Sequence, residues 1–287
     1  MQAGFLGLGA MGAPMARNLH RAGRLHGVWN RTASRSEQLA AELHCVAAAT
    51  PAALAQQCDA LVSCVSADDD LLAVVEAALP GLRAGQLFID CSTVSADTAR
   101  RVGERLATQQ VAFLDAPVSG GVEGAVKGTL AIMVGGESAD FARATPLLQA
   151  MGRTLTHFGP QGAGQSAKAT NQMMAAGINR AVAEAMAFAA AQGLDLQQVI
   201  ATLSQGASDN WYLRNRAPFM VAGSYPPGFR IRLHAKDLRI CRAMAAAAGA
   251  ELPVVEESLR EYAQLIDAGF GDEDVSAIHR LKKALFA

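Results

Sequence analysis

The stretch GFLGLGAMGAPMARNL, residues 4–19, decides how the whole chain reads. A short apolar run leads into Gly7, Gly9 and Gly12, spaced as GxGxxG, and a helical pattern follows without a gap. In that spacing the first glycine allows a tight turn, the second lets a phosphate approach the backbone, and the third allows close packing of helix on strand. The start of the helix then offers unpaired N–H groups and the positive end of its dipole. Gly7, Gly9, Ala10, Met11 and Gly12 are therefore expected to cradle the pyrophosphate of a dinucleotide. Three glycines alone are a weak signal; the strand before them and the helix after them make it specific. A merely structural glycine turn is the competing reading.

The next strand bears on which dinucleotide. A unit that binds NAD usually carries Asp or Glu about 20 residues further on, bonded to the ribose 2′-hydroxyl. Here Asn30 stands at that place, followed by Arg31, Thr32 and Arg35. A carboxylate would repel a 2′-phosphate, whereas Arg31 attracts one and Asn30 and Thr32 can donate hydrogen bonds. The loop favours NADP(H), with NAD(H) possible. The alternative is a solvated basic loop.

Working outward, strand-like runs at residues 2–8, 25–30, 60–65, 86–91 and 111–115 alternate with helical runs at 10–22, 34–43, 69–79 and 96–108. Such alternation predicts parallel crossovers and a sheet covered on both faces. Strands near 129–134 and 154–158, flanking a helix at 139–151, complete an α/β Rossmann-type N-terminal domain. The texture changes at GPQGAG, residues 159–164, a turn-rich joint. Beyond it, Ala, Leu and Met at helical spacing predict a long helix over 165–192, interrupted only by Gly177. Further helices are expected at 195–204, 210–222, 233–249, 253–268 and 273–285. The expected organisation is a NADP-binding Rossmann-type domain over 1–161 and an all-α C-terminal domain over 162–287.

Of 287 residues, 51% are hydrophobic, enough for a sizeable core without disulfides or metal. Charged residues make up 18%, below the roughly 25% usual for soluble domains, which argues against disorder. Lys+Arg 25 against Asp+Glu 26 leaves a net charge of -1, so no basic excess draws in nucleic acid or an anionic membrane. No apolar run reaches the ~18 residues of a membrane span. The first sixteen residues are apolar, but no basic stretch precedes them and Gly4, Gly7, Gly9 and Gly12 would break a signal helix. Cys45, Cys58, Cys64, Cys91 and Cys241 are odd in number and lack CxxC spacing. They read as buried reduced thiols, which fits the cytoplasm. His157 and His234 have no partner at metal spacing, so no metal site is expected, and no GxSxG elbow occurs.

Four stretches, in order along essentially the whole chain, resemble the signatures of the β-hydroxyacid dehydrogenases: GLGAMGAPMARNL (7–19), DAPVSGG (115–121), GAGQSAKATNQ (162–172) and HAKDL (234–238). That family includes 3-hydroxyisobutyrate dehydrogenases, tartronate semialdehyde reductases and glyoxylate/succinic semialdehyde reductases. The resemblance implies a long interdomain helix joining the two domains, a substrate-binding and dimerisation role for the helical one, and an active site in the cleft between them. It also implies pairing of the helical domains into a homodimer or homotetramer.

Lys168 lies near the start of the long helix, just past the joint. Hydride delivery to a carbonyl leaves an alkoxide that needs a proton, and the reverse reaction must remove one. A lysine does both when burial lowers its pKa from ~10.4 towards neutrality. The resemblance assigns Lys168 this acid–base role; without the flanking motif, an exposed helix lysine would be the default. Asn171, at i+3, shares its face. Family members place an asparagine at i+3, i+4 or both, and the residue at i+4 commonly helps hold substrate; here Asn171 is the favoured candidate and Gln172 the alternative.

In DAPVSGG, the Ser119 hydroxyl and the N–H groups of Gly120 and Gly121 can hold a carboxylate without a cation beside the reacting carbon. The resemblance implies that role for the substrate carboxylate; a plain tight turn is the alternative. In DCST (90–93), the resemblance places Thr93 by the nicotinamide, while Ser92, Thr93 or Ser95 can also cap the helix that starts near Ala96. Val65 and Ser66, at the carboxyl end of the 60–65 strand, are expected at the cofactor from the switch-point rule for open α/β sheets. The resemblance puts Lys236 near the cofactor with Asp237 as its structural partner; on chemistry alone they are a surface pair. Trp211 and Phe229 can wall a substrate pocket or pack in the core.

The sequence thus predicts an NADP(H)-dependent oxidoreductase that interconverts a small acidic semialdehyde and its hydroxyacid. VWNRT (28–32) resembles the glyoxylate/succinic semialdehyde branch and PGFRIRLHAKDL (227–238) the tartronate semialdehyde branch, so the substrate stays a small acidic aldehyde. The alternatives are an NAD-dependent 3-hydroxyisobutyrate dehydrogenase, an imine reductase, whose members generally lack a lysine at the Lys168 position, and a non-catalytic dinucleotide-binding protein.

Overall fold

The computed structural model describes residues 1–286. The chain packs as two compact units, one of residues Met1–Lys168 and one from Ala169 onward. The first runs β1 (Ala3–Leu6), α1 (Gly12–Arg21), β2 (Leu25–Trp29), α2 (Ala33–Leu43), β3 (Val46–Ala47), α3 (Pro51–Ala55), β4 (Ala60–Ser63), α4 (Asp68–Ala78), β5 (Leu87–Asp90) and α5 (Ala96–Ala107). It continues through β6 (Ala112–Asp115), β7 (Val118–Ser119), α6 (Gly121–Lys127), β8 (Leu130–Gly135), α7 (Ser138–Met151) and β9 (Gly152–Gly159).

The strands form one sheet in the order β3-β2-β1-β4-β5-β6-β8-β7, with β9 also paired to β8. Strand residues alternate between its faces. Phe5, Val62, Ile89 and Leu114 stand in register across β1, β4, β5 and β6 and enter one apolar layer with Met15, Leu19 and Leu147. Their chain neighbours Leu6, Leu61, Phe88 and Phe113 enter the opposite layer with Leu54, Leu71 and Val102. A sheet buried on both faces is what parallel central strands require. This is the Rossmann-type arrangement. Between β1 and β4 the strand order reverses, which opens a crevice at the carboxyl ends where ligands of such sheets bind.

Two features depart from simple alternation. β1 to β6 are parallel neighbours, but β8 runs antiparallel to β6 and β7 and parallel to β9. The link from β6 doubles back, with Val118 opposite Ile132, instead of making a full crossover. The short elements β3, α3, β7 and α6 also fall outside the expected runs. α3 announces itself only by Thr50, whose Oγ1 accepts from Ala53 N, and by Pro51 at its first position. α6 carries Gly121 and Gly124, which depress helix propensity.

The helix α8 (Ala163–Ala191) has 29 residues, about 43 Å at 1.5 Å per residue. It runs through Gly177 without a break. The second unit continues with α9 (Leu196–Leu203), α10 (Trp211–Asn215), α11 (Ala217–Ala222), α12 (Ile231–Ala247), α13 (Pro253–Asp267), a 3-10 turn at Val275–Ile278 and α14 (His279–Lys283). The single helix expected over 210–222 is two, parted at Arg216. Pro218, in the first turn of α11, has no N–H for the preceding turn. Among the described residues no helix is long and apolar enough to cross a membrane.

Arg216 also organises the helical unit. Its Nε lies 3.2 Å from Asp274 Oδ1, with the two side chains 5% and 0% exposed. Asp274 further accepts from Phe229 N, Ser276 N and Ser276 Oγ. Removing one partner of a buried ion pair leaves the other charge uncompensated, at a cost of about 3–5 kcal/mol. Arg216→Ala should therefore lower the unfolding free energy by about that amount in a urea titration; a loss below about 1 kcal/mol would mean that water or another cation replaces the guanidinium.

Candidate active site

The glycine loop between β1 and α1 is built for close approach. Gly7 has φ +93°, and a Cβ there would lie 2.4 Å from Cys64 O; one at Gly12 would lie 1.9 Å from Gly7 O. Gly9 has open space around it, and Gly9 and Ala10 are exposed while Met11 is half-buried. The first turn of α1 is Gly-Ala-Pro-Met, with no acid to repel a phosphate. Loop and helix fit a pyrophosphate. Cys64, whose carbonyl meets Gly7, leads directly into Val65 and Ser66, so both strands flanking the order reversal contribute to one crevice.

At the end of β2, Asn30 is engaged with its own surroundings. Its Oδ1 accepts from Leu8 N at 2.9 Å, and its Nδ2 donates to Thr32 O at 3.1 Å. It thereby ties the glycine loop to β2. Arg31 is 83% exposed, and its guanidinium lies 2.7 Å from Asp70 Oδ1 of α4. Thr32 precedes the first residue of α2, and Arg35 is exposed on that helix. Asp70 is a carboxylate beside Arg31 that reading along the loop does not disclose.

The ends of β4 and β5 are joined by a buried network. Asp90 Oδ1 accepts from Ser63 Oγ at 2.6 Å and Ser92 Oγ at 2.7 Å, while Ser92 Oγ accepts from Val65 N at 2.8 Å. Asp90 Oδ2 has no partner among the described residues. Burial pushes this carboxyl up to about 6, against the downward pull of the two serines. Ser95, of the three candidates, caps α5, its Oγ accepting from Thr98 N. Thr93 is left half-buried between Ser92 and Val94.

The lysine turn is anchored on Asp115 at the end of β6. This wholly buried carboxylate accepts from Gly162 N at 2.8 Å and Gln165 N at 2.9 Å. Burial raises its pKa, and these backbone bonds offset part of the rise. Three residues beyond Gln165, Lys168 is 7% exposed and donates from Nζ to Val118 O at 2.8 Å. It is not an ordinary exposed helix lysine. Ser119 follows Val118 and is half-buried. Gly120 and Gly121 have φ +131° and +63°, conformations that favour glycine. Instead of a plain tight turn, Ser119 ends β7 and Gly121 opens α6. The structure thus brings the Lys168 amine to Val118, the residue ahead of the Ser119–Gly121 segment.

In the second unit, Asn171 Nδ2 donates to Gln172 Oε1 at 2.8 Å, and the buried Gln172 donates from Nε2 to Asp237 Oδ2 at 2.7 Å. Among the described residues, Gln172 is engaged at both ends of its amide and Asn171 only through its NH2. Lys236 Nζ lies 3.0 Å from Asp237 Oδ1, but Asp237 is buried, so the two are not the surface pair that their chemistry alone suggests. His234 is buried between Tyr262 OH and Gln172 O. Phe229 tilts against His234 at the core, whereas Trp211 is 47% exposed beneath Arg216. Neither is shown walling a pocket. His157 bonds Gly136 O. Among the described residues no group of three His, Cys, Asp or Glu could hold a metal ion.

Comparison with known proteins gives the family. Residues 2–159 match the family described as the NAD binding domain of 6-phosphogluconate dehydrogenase, and residues 162–282 match the NAD-binding domain of NADP-dependent 3-hydroxyisobutyrate dehydrogenase. A 3-hydroxyisobutyrate dehydrogenase of Pseudomonas aeruginosa is 37% identical over 96% of this chain and 97% of its own. The chain belongs to the β-hydroxyacid dehydrogenase family. An NAD-dependent L-serine dehydrogenase of the same organism is 35% identical over 98% of this chain and 97% of its own. The structure of Mycobacterium tuberculosis 3-hydroxyisobutyrate dehydrogenase with L-serine superposes with a TM-score of 0.88 at 34% identity, covering 98% of this chain and 99% of that one. An imine reductase from Pseudomonas, 20% identical with a TM-score of 0.67, shares the fold. As a member of this family the chain is an oxidoreductase acting on hydroxyl groups with a nicotinamide dinucleotide.

Asp90 gives a pH signature. Its carboxyl titrates higher in the fold, at about 6, than its ordinary 3.8. The stability it contributes in the neutral form is therefore fully present below about pH 4 and lost as pH rises through about 6. Asp90→Asn stays neutral throughout, so its stability relative to wild type should improve by up to about 3 kcal/mol between pH 4 and pH 8 in urea titrations. A difference that is flat with pH would mean that burial does not raise the Asp90 carboxyl.

Proposed function

We propose that the chain interconverts a small 3-hydroxy acid and its semialdehyde, preferring NADP(H) to NAD(H), with Lys168 as general acid and base. The observation that carries the reading is the 2.8 Å bond from Lys168 Nζ to Val118 O, which holds a buried amine one residue from Ser119. When bound, the nicotinamide ring supplies or accepts the hydride. In reduction, Lys168 gives a proton to the oxygen developing on the carbonyl carbon; in oxidation, it takes the proton of the hydroxyl. Val118 O restrains the amine, which favours one approach geometry. Ser119 Oγ with the N–H groups of Gly120 and Gly121 holds the substrate carboxylate. Asn171, whose amide is less engaged than that of Gln172, is the better amide for the substrate. Val65, Ser66 and Thr93 face the cofactor from the strand ends. The exposed Phe188, Leu194 and Leu203 of the helical unit support a homo-oligomer.

The relatives named for 3-hydroxyisobutyrate and for L-serine act on molecules of one shape, a hydroxymethyl group one carbon removed from a carboxylate. That shared shape supports a 3-hydroxy acid here. For the cofactor, Asn30 stands where an NAD-binding unit usually has a carboxylate, and the exposed pair of Arg31 with Asp70 is worth less than about 1 kcal/mol, so the guanidinium can turn to a 2′-phosphate. Asp70 also supports the second reading, an NAD(H)-dependent enzyme in which Arg31 is already neutralised.

Initial rates with NADP(H) and NAD(H) against 3-hydroxyisobutyrate, L-serine, succinic semialdehyde, glyoxylate, tartronate semialdehyde and a cyclic imine test the reading. NADP(H) should give the higher kcat/KM, and Arg31→Ala should lower it about tenfold or more for that cofactor alone, as for a lost charge-assisted bond. Equal kcat/KM with both cofactors would leave Arg31 a surface charge, and turnover of the imine alone would overturn the reaction class. Lys168→Ala should lose about 10²–10⁴-fold in turnover while NADPH binding persists; unchanged turnover would remove Lys168 from the chemistry.

A further inference from the structure

Gln165 is 1% exposed and bonds both neighbours of Thr93. Its Nε2 donates to Ser92 O at 2.9 Å, and its Oε1 accepts from Val94 N at 3.2 Å. The carboxamide thus pairs with the backbone on either side of one residue, as a neighbouring peptide group would. Its own N–H is held by Asp115 Oδ2, and Lys168 follows one turn later on the same side of α8. From the other direction, the side chain of Ser92 is fixed by Asp90. The segment carrying Thr93 is therefore gripped through its backbone by the lysine turn and through Ser92 by the strand end.

We propose that Gln165 is a positioning residue for hydride transfer: it locks the backbone of Thr93 to the turn that carries Lys168, so that the nicotinamide side and the proton-transfer side of the site move as one piece. This inference rests on the reading of Lys168 and Thr93 given above. The chemistry of the side chain is specific. An ionised glutamate offers no donor to Ser92 O, and a leucine leaves a buried carbonyl and a buried N–H unpaired. Asparagine is one methylene short of both. A protonated glutamate, by contrast, has one O–H donor and one acceptor oxygen at the same reach.

The test uses Gln165→Leu and Gln165→Glu in the full chain, with wild type and Lys168→Ala alongside. Without cofactor, amide exchange at Val94 should be faster in Gln165→Leu than in wild type. NADPH affinity, by fluorescence titration, should change less than about threefold, while kcat falls about 10- to 100-fold, as for a small misplacement of reacting groups. The kcat of Gln165→Glu, divided by that of wild type at each pH, should rise as pH falls and the side chain regains its donor. A role of the side chain's bulk alone does not give that recovery. Unchanged Val94 exchange with wild-type kcat in Gln165→Leu, or a ratio for Gln165→Glu that is flat with pH, overturns the proposal. If Lys168→Ala keeps wild-type turnover while Gln165→Leu is impaired with faster Val94 exchange, the role of Lys168 falls and the Thr93 clamp stands. If Lys168→Ala is inactive and Gln165→Leu is normal, the proposal falls and the role of Lys168 stands.

Discussion

A carboxylate in the interior holds this site in shape. Asp115, at the carboxyl end of β6, accepts from Gly162 N just ahead of a 29-residue helix and from Gln165 N in its first turn. A buried charge is tolerable there because those donors and the positive end of the helix dipole offset part of its desolvation. The room for it is made by glycines: a Cβ at Gly135 or Gly164 would come within 2.5 or 2.8 Å of a carboxylate oxygen. With the first turn of α8 fixed in this way, Gln165 falls over the loop after β5 and Lys168 reaches Val118 O. Each of these placements is inherited from Asp115.

The rest follows from strand direction. β1, β4, β5 and β6 are parallel neighbours, so their carboxyl ends lie along one edge of the sheet. In spatial order those ends carry Gly7–Gly12, Cys64–Ser66, Ser92–Thr93 and Asp115–Gly121. Residues more than a hundred positions apart in sequence therefore share an edge without long loops. Asn30 and Asp90 stitch adjacent ends together, the first by accepting from Leu8 N and the second through Ser63 and Ser92. The two apolar layers fed by alternate residues, Phe5 against Leu6 and Ile89 against Phe88, keep that edge rigid.

The sequence discloses those parts whose cause is local. Gly7 and Gly12 are legible because close approach admits no other residue, and the helical second unit because its apolar period is sustained. What it conceals is set by remote partners. The reversal of β8 depends on pairing with β6, and the engagement of Arg31 depends on Asp70, 39 positions away. The burial of Asp237 depends on Gln172, 65 positions away. Asp115 and Gln165 are not legible as site residues for the same reason, although one signal is present. The segment GPQGAG ahead of α8 offers no Ser, Thr, Asp or Asn to cap so long a helix, and an uncapped buried start implies an acceptor from elsewhere.

The amine of Lys168, held by this anchored turn, is proposed to carry the proton. Chemical rescue tests it most directly. In Lys168→Ala, small primary amines added to the assay should restore part of the lost turnover, with rescue increasing with amine basicity once size is allowed for. A folded, cofactor-binding variant whose residual rate is the same with every amine and with none would contradict the account.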